Sequence, residues 1–202
     1  MKKIFIIGDS ISIHYGPYLE QYVNGYFKYE RKGRLITGCD INEGGLQNGG
    51  DSNLVWEYLC DNPELDYDVL VLNCGLHDIR IFDKDNQVDI KTYEKNLKKI
   101  IQLAKERNKK VVWLTSTPVD DEWHNTQTPD VKRYNKDIIN YNETALNVMK
   151  QLEVPVIDLY GFTCNIDVPL YEDYVHYNIE VRRLQASFIA GSLMALDSLH
   201  EI

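Results

Sequence analysis

Ile4-Phe5-Ile6-Ile7-Gly8-Asp9-Ser10 is an apolar run that stops abruptly at a glycine. Four consecutive apolar residues bounded by Gly predict a short strand buried on both faces. Gly8 permits a sharp turn, and ligand crevices of open parallel sheets lie just outside the carboxyl ends of their strands. The stretch therefore predicts a hydroxyl, that of Ser10, at the rim where such a sheet does its chemistry. A serine in this position also serves as a helix cap, so the triplet by itself leaves both readings open.

Strand-like runs recur downstream at 34–38, 68–73, 110–115 and 154–158, in addition to 3–7. Val69-Leu70-Val71-Leu72 and Val111-Val112-Trp113-Leu114 are nearly continuous in apolar residues, as expected of strands covered on both sides. Helical periodicity predicts segments near 17–29, 53–60, 91–107, 131–151 and 179–199, with Pro17 in a first turn and Asn178 capping the last helix. Strands alternating with helices predict an α/β fold, a parallel sheet with helices on both faces. In that arrangement Ser10, the Gly- and Asn-rich connection 39–52, the turn after the third strand, the polar connection 116–130 and the loop before the last helix share one rim.

The chain has 202 residues and no repeat or linker, which predicts a single domain over 1–202. Its composition is that of a soluble globular protein, with 44% hydrophobic and 26% charged residues. A formal charge of −9 argues against nucleic acid and anionic membrane surfaces as partners. The cluster Lys105–Lys110 ends a predicted helix, where it complements the helix dipole. Cys39, Cys60, Cys74 and Cys164 form no CxxC pair and read as reduced thiols. The run after Lys2-Lys3 is too short for a secretory core, and no apolar stretch reaches membrane-spanning length, so a cytoplasmic location is expected.

Asp173-Tyr174-Val175-His176, near the other end of the chain, changes the weight of Ser10. Acyl transfer needs a nucleophile, a base, a group that orients the base, and donors for the developing oxyanion. Ser10 supplies the first and His176 titrates in the range of the second. Asp173, three residues earlier, projects to the same side in a turn or an incipient helix and can hold one imidazole nitrogen.

Taken together, these motifs resemble the SGNH hydrolases, the GDSL-type esterase and lipase family. Gly8-Asp9-Ser10 with Ile11 resembles the first block and Gly50-Asp51-Ser52 the second. Gly75-Leu76-His77-Asp78 stands where Gly-x-Asn-Asp is expected, and Asp173-Tyr174-Val175-His176 matches the fifth block. The resemblance implies a flavodoxin-like three-layer α/β/α sandwich with a five-stranded parallel sheet. It implies a catalytic triad of Ser10, Asp173 and His176, and an oxyanion hole from the backbone N–H groups of Ser10 and Gly50 plus one side chain. No metal and no organic cofactor is implied. The departure is His77, where the family has asparagine. Three outcomes follow from it: His77 replaces the amide as a donor, stronger if imidazolium; the hole has two donors and turnover is poor; or the chain is a silent relative. Asn73, inside the third strand, is expected to hold backbone instead, and Asp9 and Asp78 to orient loops through backbone N–H groups.

Other features carry less. Tyr15, Tyr18, Tyr22, Tyr26 and Tyr29 recur at helical spacing and predict a packed helix face, with an aromatic wall for sugars as the functional alternative. His14 either touches substrate, faces solvent or serves as a cap. Asp120, Asp121, Glu122 and His124 lack metal-ligand spacing and read as a solvated acidic loop. The chain has neither a dinucleotide fingerprint nor a P-loop. The expected activity is hydrolysis of a small acyl ester, acetyl above all, on a polar substrate such as a carbohydrate. A thioesterase or lysophospholipase, and a silent carbohydrate-binding relative, are the alternatives.

Overall fold

The computed structural model describes residues 1–33 and 47–202. The expected strand at 34–38 and most of the Gly-rich connection lie outside these residues. Five strands form one parallel sheet: β1 (Lys3–Ile7), β2 (Lys28–Arg31), β3 (Val69–Leu72), β4 (Lys110–Leu114) and β5 (Val156–Ile157). Their order is β2-β1-β3-β4-β5, with Ile4 beside both Tyr29 and Val69, and Leu70 beside Val111. Ile4, Ile6 and the whole of β3 are buried, as the unbroken apolar runs require of central parallel strands.

Seven helices complete the described fold: α1 (Ser10–Val23), α2 (Ser52–Asp61), α3 (Ile90–Glu106), α4 (Asp121–Gln127), α5 (Asn135–Gln151), α6 (Leu159–Cys164) and α7 (Ile179–Ser198). Helix α1 packs on α7, while α2 packs on α3 and α3 on α5. Apolar stripes explain the seating: Tyr93, Leu97, Ile100, Ile101 and Ala104 of α3 recur at helical spacing and are all buried.

Several expectations are corrected. The first helix begins at Ser10, capped by Asp9, whose Oδ1 accepts the Ile11 N–H at 3.0 Å. Pro17 therefore lies inside the helix and not in its first turn. The helix also ends at Val23, and residues 28–31 form β2. The tyrosine stripe is consequently split: Tyr15 is buried on α1, Tyr26 is 63% exposed in the following turn, and Tyr29 belongs to the strand. The connection 116–130 is not a plain loop either, since it contains α4.

Candidate active site

Each residue of the site reaches it by a local device. Ser10 is the first residue of α1, so its backbone N–H is among the amides that a helix start leaves without an intrahelical acceptor. Asp173 and His176 sit in a tight turn, bounded by a bridge between Tyr171 and Tyr177 and closed by Glu172 N–H donating to the His176 carbonyl at 2.8 Å. Asp173 Oδ1 accepts the N–H groups of Val175 and His176, at 2.8 and 2.7 Å. The turn, not an incipient helix, is what brings the two side chains to one side. Tyr177 anchors it from below, donating its hydroxyl to the Pro118 carbonyl at 2.6 Å.

Across the sheet rim, 166 positions apart in sequence, His176 Nε2 meets Ser10 Oγ at 2.9 Å. On its other side His176 Nδ1 meets Asp173 Oδ2 at 2.7 Å. Burial alone would raise the Asp173 pKa, but hydrogen bonds from the His176 N–H, the imidazole and the Val175 N–H hold it below the ordinary carboxylate value. An ionised carboxylate fixes Nδ1 as the protonated nitrogen, which leaves Nε2 to accept from the serine hydroxyl. His14 lies behind the imidazole, ring centroids 4.6 Å apart. It is half-buried and does not line the cleft. Burial first, then the charges of Arg182 and His176, push its pKa down to about 4. A neutral ring there adds no repulsion to a proton arriving on His176.

The three expected oxyanion donors behave differently. Ser10 and Gly50 both line the cleft, as does His77. Gly50 has φ +72°, a left-handed conformation suited to glycine, and its N–H donates to Asn48 Oδ1 at 2.9 Å. A substrate oxygen must therefore displace the Asn48 amide to reach it. His77 Nε2 lies 3.2 Å from Arg80 Nη2. A guanidinium has only donors, so Nε2 accepts and the neutral ring carries its proton on Nδ1. Burial, then Arg80 and Arg133, lower the His77 pKa to about 3. The ring is therefore neutral near pH 7, and its Nδ1 N–H is a neutral donor of the same kind as an asparagine amide.

The supporting residues fall largely as expected. Asn73 donates to the Leu114 carbonyl at 2.9 Å, and Asp78 accepts the Ser52 N–H at 3.0 Å. Gly75, at φ +149°, lies against Ser116, whose hydroxyl a Cβ would strike. The residues 120–124 do not form a solvated acidic loop. Asp120 caps α4, and His124 is fully buried, accepting from Arg133 Nη1 at 2.5 Å. No group of His, Cys, Asp and Glu suited to a metal occurs among the described residues.

The cleft holds about 560 Å³ and places Ser10 and His176 beside Leu54, Phe82 and Tyr174. Leu54 and Phe82 are 49% and 59% exposed, so the mouth is more apolar than its polar loops suggested. Arg80 and Arg133 also line it. Sequence reasoning missed both, because a lone arginine in each of two separate loops gives no motif. Among the described residues, no helix is long and apolar enough to cross a membrane.

Comparison with known proteins agrees with the fold. Residues 6–184 match the model of the GDSL-like lipase/acylhydrolase family. A lipase/acylhydrolase from Enterococcus faecalis superposes with a TM-score of 0.71 at 18% identity, covering 96% of each chain. Est24, a carbohydrate acetylesterase from Sinorhizobium meliloti, gives 0.65 at 13% identity, over 97% of this chain and 100% of its own. The psychrotrophic esterase EstA from Pseudoalteromonas sp., in a structure inhibited by monoethylphosphonate, gives 0.68 at 11% identity over 98% and 100%. At these identities the likeness is one of fold. No curated protein matches the chain. The family match over most of the sequence settles membership: this chain belongs to the GDSL-like lipase/acylhydrolase family.

Proposed function

We propose that the protein is a serine esterase that removes a small acyl group, acetyl above all, from a polar alcohol such as a carbohydrate. The observation that carries this reading is the continuous chain Ser10 Oγ, His176 Nε2, His176 Nδ1, Asp173 Oδ2, with links of 2.9 and 2.7 Å. Ser10 attacks the ester carbonyl while His176 takes its proton, and Asp173 stabilises the imidazolium that forms. The Ser10 N–H, the His77 Nδ1–H and the Gly50 N–H receive the oxyanion. A developing alkoxide is a stronger acceptor than the Asn48 amide oxygen, which favours the exchange at Gly50. His176 then protonates the leaving alcohol, and water, activated by the same imidazole, hydrolyses the acyl-serine to acid and free enzyme. None of these steps uses a metal or an organic cofactor.

A small polar ester fits an acidic chain with no call for nucleic acid or membrane. We place the protein in the cytoplasm, in keeping with the free thiols of Cys60, Cys74 and Cys164. A second reading, a thioesterase or lysophospholipase with the same triad, is favoured by the exposed Leu54 and Phe82 at the cleft mouth. Hydrolysis of p-nitrophenyl esters from acetyl to decanoyl separates the two. Fastest turnover of acetyl supports the first reading, and a rate that climbs with chain length supports the second. Ser10→Ala is expected to abolish hydrolysis throughout the series, and substantial residual activity in that variant removes Ser10 from the mechanism.

A further inference from the structure

Arg133 is 8% exposed, yet it borders the cleft next to the Ser10–His176 pair. Burying a cation costs several kcal/mol unless a partner offsets it. Its Nε donates to the Leu76 carbonyl at 2.7 Å and its Nη1 to His124 Nε2 at 2.5 Å. Both acceptors are neutral, since burial and Arg133 itself hold the His124 pKa at about 4. Nη2 has no partner among the described residues.

Arg80 repeats the pattern. Its Nη2 is spent on His77, and its buried Nε has no hydrogen-bond partner. Among the described residues, no carboxylate lies within 4.0 Å of either guanidinium. Asp9 and Asp51 are the acids whose fields reach Arg80, and Asp9 reaches Arg133. Asp51 is engaged elsewhere, its Oδ1 capping α2 and its Oδ2 accepting from Gln87. Asp9 caps α1 through Oδ1 and keeps a buried Oδ2 without a hydrogen bond, one counter-charge facing two guanidiniums. The two arginines also repel each other, and burial together with Arg80 lowers the Arg133 pKa to about 10, which still leaves it charged at neutral pH.

A purely scaffolding role explains one edge of each guanidinium and not the other. A neutral amide would hold the Leu76 carbonyl or His77 Nε2 without placing two cations at the mouth of a cleft in a chain of charge −9. Planar guanidiniums with free N–H groups match the geometry of a carboxylate. Resting on the serine-esterase reading, we propose that the alcohol part of the substrate carries a carboxylate, held by Arg80 and Arg133 while Ser10 attacks the neutral acyl group. The substrate class is then an acylated acidic sugar or similar hydroxy acid.

The test is steady-state kinetics at low salt on three probes: O-acetylated glucuronic acid, its neutral methyl ester, and an O-acetylated glucose 6-phosphate. Wild-type protein is expected to prefer the acid over its methyl ester by about tenfold or more in kcat/KM, mainly through KM. Arg80→Gln is expected to reduce that ratio toward one. Arg133→Lys, which keeps the charge and loses the fork, is expected to reduce it in part. The ratio is taken within one preparation, so partial unfolding and any loss of His77 positioning cancel. Equal kcat/KM for acid and methyl ester in the wild type overturns the inference while leaving the esterase reading intact. A preference for the phosphate over the uronate overturns the carboxylate assignment. No turnover of any ester, with no labelling of Ser10 by a phosphonate, overturns both readings.

Discussion

Arg80 Nη2 stands 3.2 Å from His77 Nε2, so a permanent cation fixes which nitrogen of a half-buried imidazole carries the proton. Histidine at this position then presents one neutral donor on Nδ1. His77→Asn is accordingly expected to keep kcat within about threefold, whereas His77→Ala is expected to lower kcat by about 10²–10³, the usual cost of one oxyanion donor. Steady-state rates of the two variants decide the matter. Equal activity of the Ala variant and the wild type removes His77 from the hole.

With the His77 pKa at about 3, the rate profile between pH 5 and 9 should contain no limb that His77→Asn abolishes. A limb lost in that variant contradicts the neutral-donor account.

Three imidazoles, His124 buried and His14 and His77 half-buried, contribute less stability in acid. His14, His77 and His124 have pKa values of about 4, 3 and 4, all depressed from 6.5, chiefly by burial. A depressed folded-state pKa gives stability that is present above the unfolded value and lost as pH falls. Asp78 acts in the opposite sense. Burial raises its pKa to about 7, so its contribution is present at low pH and lost as pH rises through that value. Asp9 and Asp137, also raised by burial, act with Asp78, so the histidine contribution is read by difference. From pH 6.5 toward pH 4 the Tm of the wild type should fall relative to that of His77→Asn, and thermal denaturation of the pair checks it.

Asp173→Asn is expected to lower kcat by about 10⁴, because an amide no longer holds Nδ1 as the protonated nitrogen. The comparison of kcat with circular dichroism at the same pH separates this from unfolding. A loss below tenfold contradicts the assigned role.

Tyr177→Phe removes the hydroxyl that holds the Pro118 carbonyl under the turn carrying Asp173 and His176. Leaving that buried acceptor unsatisfied should cost about 1–3 kcal/mol in urea denaturation. A drop in kcat is expected alongside it, since the turn sets the distance between His176 and Ser10.

The central strands were legible because β1, β3 and β4 are buried on both faces, and such strands read as unbroken apolar runs. Strand β2 was not, because Lys28-Tyr29-Glu30-Arg31 at the sheet edge reads as polar surface. Its Arg31 is buried by donating to the Ser12 carbonyl and hydroxyl and to the Gln47 carbonyl, contacts no local pattern announces. The start of α1 was misplaced because Pro17 looks like a first turn, while the actual cap is Asp9. The residues of the presumed triad and the supporting roles of Asn73 and Asp78 could be read from ordered motifs. The electrostatic environment could not: the depressed pKa values of His77 and His14 follow from burial, from Arg80 beside His77, and from Arg133 and Arg182 of distant segments.

The measurement that bears most directly on the central claim is stoichiometric labelling of the native protein by a fluorophosphonate, followed by peptide mass spectrometry. Covalent reaction of a serine with such a reagent requires a nucleophile whose proton a base removes. The account predicts one equivalent of label, located on Ser10, and a labelling rate reduced at least 100-fold in His176→Ala. Label on another residue, or none on folded protein, contradicts it.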